Sequence, residues 1–225
     1  MRHIKPYSQL FENQQELTQE QIDWLDECTT GRWKLNPQTG LVDVDGEFYC
    51  QDQNLTDFKG VRFGEISKFF DCSRNSLTSL DGAPQKVGGG FRCYSNKLTS
   101  LEGAPQRVGG DFMCHSNQLV SLKGSPQIVA GSFYCSRNQL TSLEGAPPMV
   151  AGISISSENA ISGTAIERVL KRMSRNSIPL EQAVSELWDV IPDEDKPYLA
   201  KHNPDLSPDD KREYAALERL KTRVI

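Results

Sequence analysis

The sequence lacks the features that mark membrane proteins, metal proteins and most enzymes. No run of apolar residues is long enough to cross a bilayer, and the first residues do not form a secretory signal. The three histidines, His3, His115 and His202, lie in separate parts of the chain, and none belongs to a His-x-x-x-His or Glu-His motif. We therefore expect no catalytic residues, no metal site, no cofactor and no membrane association.

Neither charge sign is in strong excess. The formal net charge is -5, and 24% of the residues are charged. This balance argues mildly against general nucleic-acid binding, and it is too small for a mimic of DNA. A hydrophobic content of 37% is that of an ordinary soluble protein.

The cysteines are not arranged as close pairs. Cys72 follows Cys50 by 22 residues, and Cys93, Cys114 and Cys135 then follow at intervals of 21. Zinc sites use much closer cysteine pairs, whereas cysteine is a small residue that is readily buried. We expect a buried column of reduced thiols, which suits a cytoplasmic location.

The same interval recurs in a repeated unit, Phe-x-Cys-x-x-Asn-x-Leu-Thr-Ser-Leu-x-Gly-Ala-Pro, with variations. The recurring positions are Phe70, Phe91, Phe112 and Phe133; Asn75, Asn96, Asn117 and Asn138; Leu77, Leu98, Leu119 and Leu140; Leu80, Leu101, Leu122 and Leu143; and Gly82, Gly103, Gly124 and Gly145. A fixed period of this size indicates a solenoid, in which stacked units form a parallel sheet over a continuous core.

Alternation within the unit predicts its inner and outer sides. Phe and Cys stand two residues apart, so both should point inward and the residue between them outward. The Asn side chain should bond backbone groups in the turn of its own copy and the adjacent copy. The return segment, with Gly and Pro at fixed offsets, has no room for a helix and should be thin and irregular.

This unit resembles the leucine-rich repeat in its short bacterial class, and it is similar above all to repeat proteins encoded by tailed bacteriophages and related mobile elements. The resemblance covers about residues 48–161. It implies an α+β protein whose solenoid has a parallel sheet, an irregular convex side and five to six repeats of about 21 residues. The chain departs from bacterial effector repeats in carrying Gly-Ala-Pro where those have a Leu-Pro pair.

The flanks divide the chain into three predicted regions. Residues 1–47 should form an α/β cap, with a helix that starts at a Thr18/Gln21 capping box and ends near Gly31, followed by a hairpin that turns at residues 36–40. Residues 48–161 form the solenoid, and its last copy is degenerate. In that copy Ile153 and Ile155 replace the Phe and Cys pair, and Glu158-Asn159 stands at the Asn position.

Residues 162–225 should be helical. Helices are predicted to begin at Thr164, Pro179 and Ser207, with a short one within residues 193–202. They either form a separate small bundle or cover the end of the solenoid, and they offer a surface for self-association. Some bacterial effectors join leucine-rich repeats to a ubiquitin ligase with a cysteine nucleophile, but this region contains no cysteine.

The candidate binding residues are those that should project from the sheet, one residue before and one and two residues after each cysteine. Unlike the buried positions, these positions change chemistry from copy to copy, and they include the residue types favoured at interface centres. The predicted partner-binding set is Tyr49, Arg74, Arg92, Tyr94, Met113, His115, Tyr134 and Arg137.

We therefore expect a non-enzymatic protein-protein interaction module. The resemblance implies a phage or mobile-element protein that acts in the cytoplasm of its host cell, where it binds and inhibits a bacterial protein such as a defence component. The alternative is a nucleic-acid-binding protein that uses the same arginines and tyrosines as a platform for a single strand. Asp52, Asp71 and Asp111 on that face disfavour the alternative.

Overall fold

The computed structural model describes residues 16–141, 143–154, 159, 169, 172, 178–191, 193 and 195–221. One helix and ten strands precede a group of short helices. The elements are α1 (Gln19–Cys28), β1 (Thr29–Leu35), β2 (Val42–Tyr49), β3 (Phe63–Ile66), β4 (Phe70–Asp71), β5 (Lys86–Val87), β6 (Phe91–Arg92), β7 (Arg107–Val108), β8 (Phe112–Met113), β9 (Ile128–Tyr134), β10 (Met149–Ser154), α2 (Leu180–Leu187), α3 (Lys196–Leu199) and α4 (Pro208–Lys221). Among the described residues, no helix is both long enough and apolar enough to cross a membrane.

Helix α1 starts as predicted and ends earlier. The capping box is present, because the Thr18 side chain accepts from the Gln21 backbone and the Gln21 side chain accepts from the Thr18 backbone. The helix ends at Cys28, so the prediction that Gly31 ends it is wrong. The β-formers Thr29 and Thr30 already belong to β1, in which Gly31 lies opposite Gly46 and has no room for a Cβ. The predicted hairpin is confirmed, since β1 and β2 pair antiparallel on either side of residues 36–40.

A first parallel ladder carries the repeated Phe position. It runs through β2, β4, β6, β8 and β9, in which successive Phe residues are paired. From Phe48 to Phe133 the neighbouring rings stack with centroids 5.1 to 5.5 Å apart. The Phe and Cys side chains of these copies are fully buried. The predicted solenoid is therefore confirmed as about five stacked coils with a 21-residue repeat.

A second parallel ladder lies in the return segment, which was expected to be irregular. It runs through β2, β3, β5, β7 and β9, with Val87 and Val108 buried and Lys86 and Arg107 exposed. Strands β5 and β7 are only two residues long, and the Gly pairs that follow them hid the alternation in the sequence. These glycines let neighbouring coils pack closely at the corner, since a Cβ on Gly109 would lie 2.0 Å from the Gly88 carbonyl oxygen.

An asparagine in every coil ties each turn to the coil before it. The Asn96 Nδ2 donates to the carbonyls of Cys72 and Cys93, and its Oδ1 accepts from the Leu77 amide. The predicted bonding to both copies is confirmed. Asn159 continues this pattern by accepting from the Leu140 amide, so the degenerate copy is part of the stack. Its Ile153 pairs with Phe133, and a register shift accommodates the missing residue; Ile155 and Glu158 lie outside the described residues.

The helices after the solenoid share its hydrophobic core. Ala183, Val184, Ile191 and Leu199 belong to the same continuous cluster of buried residues as the solenoid. Lys201 also forms an ion pair with Glu144 of the solenoid at 3.3 Å. Helices start after Pro179 and at Pro208 as predicted, and α3 lies within residues 193–202. The helix predicted at Thr164 falls almost entirely outside the described residues.

Burial of His202 should make this helical region sensitive to acid. Burial, with the positive charge of Lys201, lowers the pKa of His202 to about 4, and Nε2 has no hydrogen-bond partner among the described residues. As the pH falls below the ordinary histidine pKa, the unfolded chain binds a proton that the folded chain does not, so stability is lost. We expect a loss of about 2 kcal/mol between pH 7 and pH 4.

The measurement is urea unfolding of the wild type and of His202→Gln across this pH range. Other groups titrate equally in both proteins, so the difference between their pH profiles isolates His202. Identical profiles for the two proteins would contradict the assignment.

Candidate binding surface

We call the outward side of the first ladder the ladder face. The strands place side chains there because a residue between a buried Phe and a buried Cys must point out of the core. Tyr49, Arg92, Met113 and Tyr134 hold such positions and are partly exposed. The other predicted residues follow the cysteines on the same face, so the structure brings all eight predicted positions onto one surface.

Tyr94 and His115 form a stacked pair near the centre of the ladder face. They occupy the same position in successive coils, and their rings lie 4.6 Å apart at an angle of 10°. His115 Nδ1 lies 3.2 Å from Ser116 Oγ. Burial, followed by the positive charge of nearby Arg137, lowers the pKa of His115. Both residues are partly exposed on the outer side of the sheet.

Arg92 is held by side chains from the preceding coil. Its Nη1 donates to Asp71 Oδ2 at 3.4 Å, and its guanidinium carbon lies 5.3 Å from the centre of the Phe69 ring. Asp71 in turn accepts from the Ser73 amide and hydroxyl. These contacts leave the Arg92 side chain 36% exposed. The result is an arginine of fixed orientation on a surface otherwise made of rings and small polar groups.

Two residues expected to project from the sheet are in fact buried. Asp71 is 5% exposed and Ser73 is fully buried. Strand alternation predicted that both side chains point outward, and the backbone direction agrees with this. Ser73 is short, however, and Asp71 bonds to it beneath the Arg92 guanidinium. Their outward position therefore does not make them available to a partner.

The position two after each cysteine has an unusual backbone. Asp52, Arg74, Ser95, Ser116 and Arg137 all have a positive φ, between 53° and 59°. This left-handed conformation costs an L-residue other than Gly or Asn roughly 1 kcal/mol. Arg74 nonetheless stands there, with Nη2 donating to Asp52 at 2.7 Å. Because all five coils share this conformation whatever the residue, it is a property of the turn.

Phe69 is a surface aromatic that sequence reasoning missed. It stands three residues before Cys72, a further outward position that holds Glu47, Gly90, Asp111 and Ser132 in the other coils. The Phe69 ring lies over Gly90, where a Cβ would come within 2.8 Å of it. A single aromatic among small and acidic residues at one repeat position is the signal in the sequence that identifies it.

The cysteines are suited to packing rather than chemistry. All six thiols are free and buried. Burial raises the thiol pKa in every coil, to about 12 for Cys135. A thiol that stays protonated and shielded from solvent is a poor nucleophile and a poor ligand. Within the part of the chain that the structure describes, no group of three or more His, Cys, Asp or Glu residues is placed to hold a metal.

Three surface depressions lie away from the ladder face. The two larger ones, of about 410 and 430 Å³, are beside Phe58 and Trp33, and a third of about 220 Å³ lies beside Asp43 and Glu65. None of the eight predicted residues lines any of the three. The ladder face offers the features of a macromolecular interface instead: an extended surface with aromatic rings, a methionine and arginines.

No protein-family model, curated protein or solved structure matches this chain.

Proposed function

We propose that this chain is a non-enzymatic protein-protein interaction module of the leucine-rich repeat type and that the ladder face is its binding surface. One observation carries the proposal: within the repeat the buried positions stay nearly the same, while the outward positions change chemistry along the stack. A purely structural sheet has no need for Tyr, Asp, Arg, Met and Tyr in succession at one position. A surface shaped to one partner does need such variation.

The energetics of the surface support this reading. Arg74 and Arg137 occupy left-handed positions where Gly or Asn would be more stable. Aromatic rings and arginines dominate the binding energy of protein interfaces, and Tyr94, His115, Tyr134 and Arg92 lie together over three adjacent coils. Stability has been given up on the surface where a partner would bind, as expected of a functional site.

We propose that the regions before and after the solenoid are caps that cover its two ends. Trp24 of α1 packs edge-on against Phe48, with ring centroids 5.2 Å apart, and so covers the first coil. The helices after the solenoid cover its other end through the shared core, and they also offer the surface for self-association. A solenoid exposes its core at both ends unless each end is covered.

The repeat type supports a phage or mobile-element origin and action in the cytoplasm of a bacterial host. We propose that the protein inhibits a host protein, such as a defence component, by occupying its surface. Nucleic-acid binding remains the alternative, but Arg74 is paired with Asp52 and Arg92 with Asp71. A nucleic-acid strand is bound by several cations, which contact its phosphates and displace the counterions held there.

Alanine at Arg92, Tyr94 and Tyr134 together should weaken binding of the partner by at least about 2 kcal/mol, or roughly 30-fold. The partner is first identified by affinity capture from bacterial lysate with mass spectrometry, and its affinity is then measured by calorimetry. The matched control replaces Lys86, Arg107 and Gln127 by alanine; all three are exposed, the first two lie in the second ladder, and Gln127 directly precedes β9.

Two checks make the result specific. Urea unfolding must show that the triple variant is folded, and Tyr94→Ala/Tyr134→Ala leaves the Arg92 contact with Asp71 in place. A partner that binds the triple variant within about twofold of the wild type would move the site away from the ladder face. Binding to an oligonucleotide that weakens steeply with salt would favour the alternative function.

A further inference from the structure

Near its centre the ladder face has hydrogen-bond donors that no group of the described chain uses. Each of its four carboxylates already accepts a hydrogen bond from within the chain: Glu47 from Thr30, Asp52 from Arg74, Asp71 from Ser73 and Asp111 from the Ser132 amide. The hydroxyls of Tyr94 and Tyr134, in contrast, have no hydrogen-bond partner among the described residues. A partner with acceptors can therefore bond to these hydroxyls.

Arg92 is the strongest of these donors and the best oriented. A guanidinium has five N–H groups in a planar fork. The contact with Asp71 engages only one of its nitrogens, Nη1. The Phe69 ring lies beside the group, with its centre 5.3 Å from the guanidinium carbon, and Gly90 leaves the space that this ring needs. An arginine that is already oriented loses less conformational entropy when it binds, and the fork matches the two oxygens of a carboxylate.

The neighbours of Arg92 favour a single carboxylate over a polyanion. Tyr94 and His115 present further polar groups beside it, and Arg137 adds positive charge in the last coil. Yet the face also holds four carboxylates, and Arg74 is neutralised by Asp52. The N–H groups that Arg92 does not donate to Asp71 can hold one carboxylate, whereas a phosphate backbone needs several cations along its path.

We infer that the partner docks a carboxylate-bearing segment of its polypeptide on the centre of the ladder face, with the Arg92 fork holding an Asp or Glu side chain between Phe69 and Tyr94. This inference rests on the proposed function and specifies the kind of protein surface that it recognises. Asp71 and Phe69 are positioning residues, because they act through Arg92.

The test selects peptides from a displayed library of random linear sequences on the immobilised full-length wild-type protein. The enriched peptides should be rich in Asp and Glu, and the most enriched one should lose at least about tenfold in affinity on Arg92→Gln. Arg107→Gln is the matched control, since it removes the same charge from an exposed position of the second ladder and should change affinity by less than about twofold.

Arg92→Gln leaves the buried Asp71 without its ion pair, so Asp71→Asn/Arg92→Gln is made in parallel to keep the site neutral. The decisive measurement is a double-mutant cycle between Arg92→Gln and replacement of each Asp or Glu of the peptide by Asn or Gln. One peptide carboxylate should show strong coupling to Arg92, so that the second change costs little once the first has been made.

The inference is overturned if no peptide is enriched, if the enriched peptides are not acidic, or if every peptide carboxylate is additive with Arg92→Gln. Binding of an oligothymidylate that depends on Arg92 would also overturn it, by showing that phosphate is the ligand. The two proposals fail separately. If a bacterial protein is captured through the ladder face but no carboxylate is coupled to Arg92, the proposed function stands and this inference fails. If acidic peptides bind through Arg92 but lysate capture finds no partner, this inference stands and the proposed function is not supported.

Discussion

Phe112→Ala should lower the free energy of unfolding by about 3 to 5 kcal/mol. Phe112 is fully buried and stacks on both sides, with ring centroids 5.2 Å from Phe91 and 5.1 Å from Phe133. Its removal takes apolar area out of the core and leaves a cavity between two rings that neighbouring coils hold apart. The measurement is urea unfolding followed by circular dichroism, with the change in midpoint evaluated at a constant slope.

Tyr134→Ala is the matched control for this prediction. It also removes an aromatic ring from the first ladder, but from a partly exposed outward position, so its cost should be about 1 kcal/mol or less. Equal costs for the two variants would show that the inner column is not the core of the solenoid. A change in slope as well as midpoint would show that the coils no longer unfold as one unit.

Repetition made most of the solenoid predictable from the sequence. A residue that recurs every 21 positions must occupy one environment in every coil, so the Phe, Cys and Asn columns could be placed without any other information. The valines of the second ladder, Val87, Val108 and Val129, recur at the same interval, but recurrence alone does not show that they lie in strands. Strands β5 and β7 are too short for alternation to be recognised, and they form because the Gly pairs allow neighbouring backbones to come close, which is a property of the stack and not of one coil.

The position of the candidate site could be predicted from the sequence, but the contacts and the exposure of its side chains could not. Strand alternation put Arg92 and Arg74 on the outward face, but it could not show that Asp71 and Asp52 of the preceding coil engage them. Nor could it show that Ser73 would be buried while Tyr94, one coil further along, stays partly exposed. These outcomes depend on side-chain length and on contacts between coils, which a repeat pattern read along the chain does not contain.

Asn117→Ala should cost about 3 kcal/mol, nearly as much as the loss of a core ring. The Asn117 side chain is buried, and its Oδ1 accepts from the Leu98 amide at 3.1 Å. Its Nδ2 donates to the carbonyls of Cys93 and Cys114 at 3.0 and 3.1 Å. Alanine leaves the Leu98 amide with no acceptor, and a buried polar group without a partner costs about 1 to 3 kcal/mol by itself.

The two carbonyls would not be left bare, because each also accepts from a second asparagine: Cys93 from Asn96 and Cys114 from Asn138. The loss should therefore be local to the turn that contains Leu98, and amide hydrogen exchange at Leu98 should accelerate more than at other buried amides. Gln118→Ala removes an exposed amide side chain next to Asn117 and is the control. A cost for Asn117→Ala no larger than that of the control would mean that water replaces the side chain and that the asparagine column does not hold the coils together.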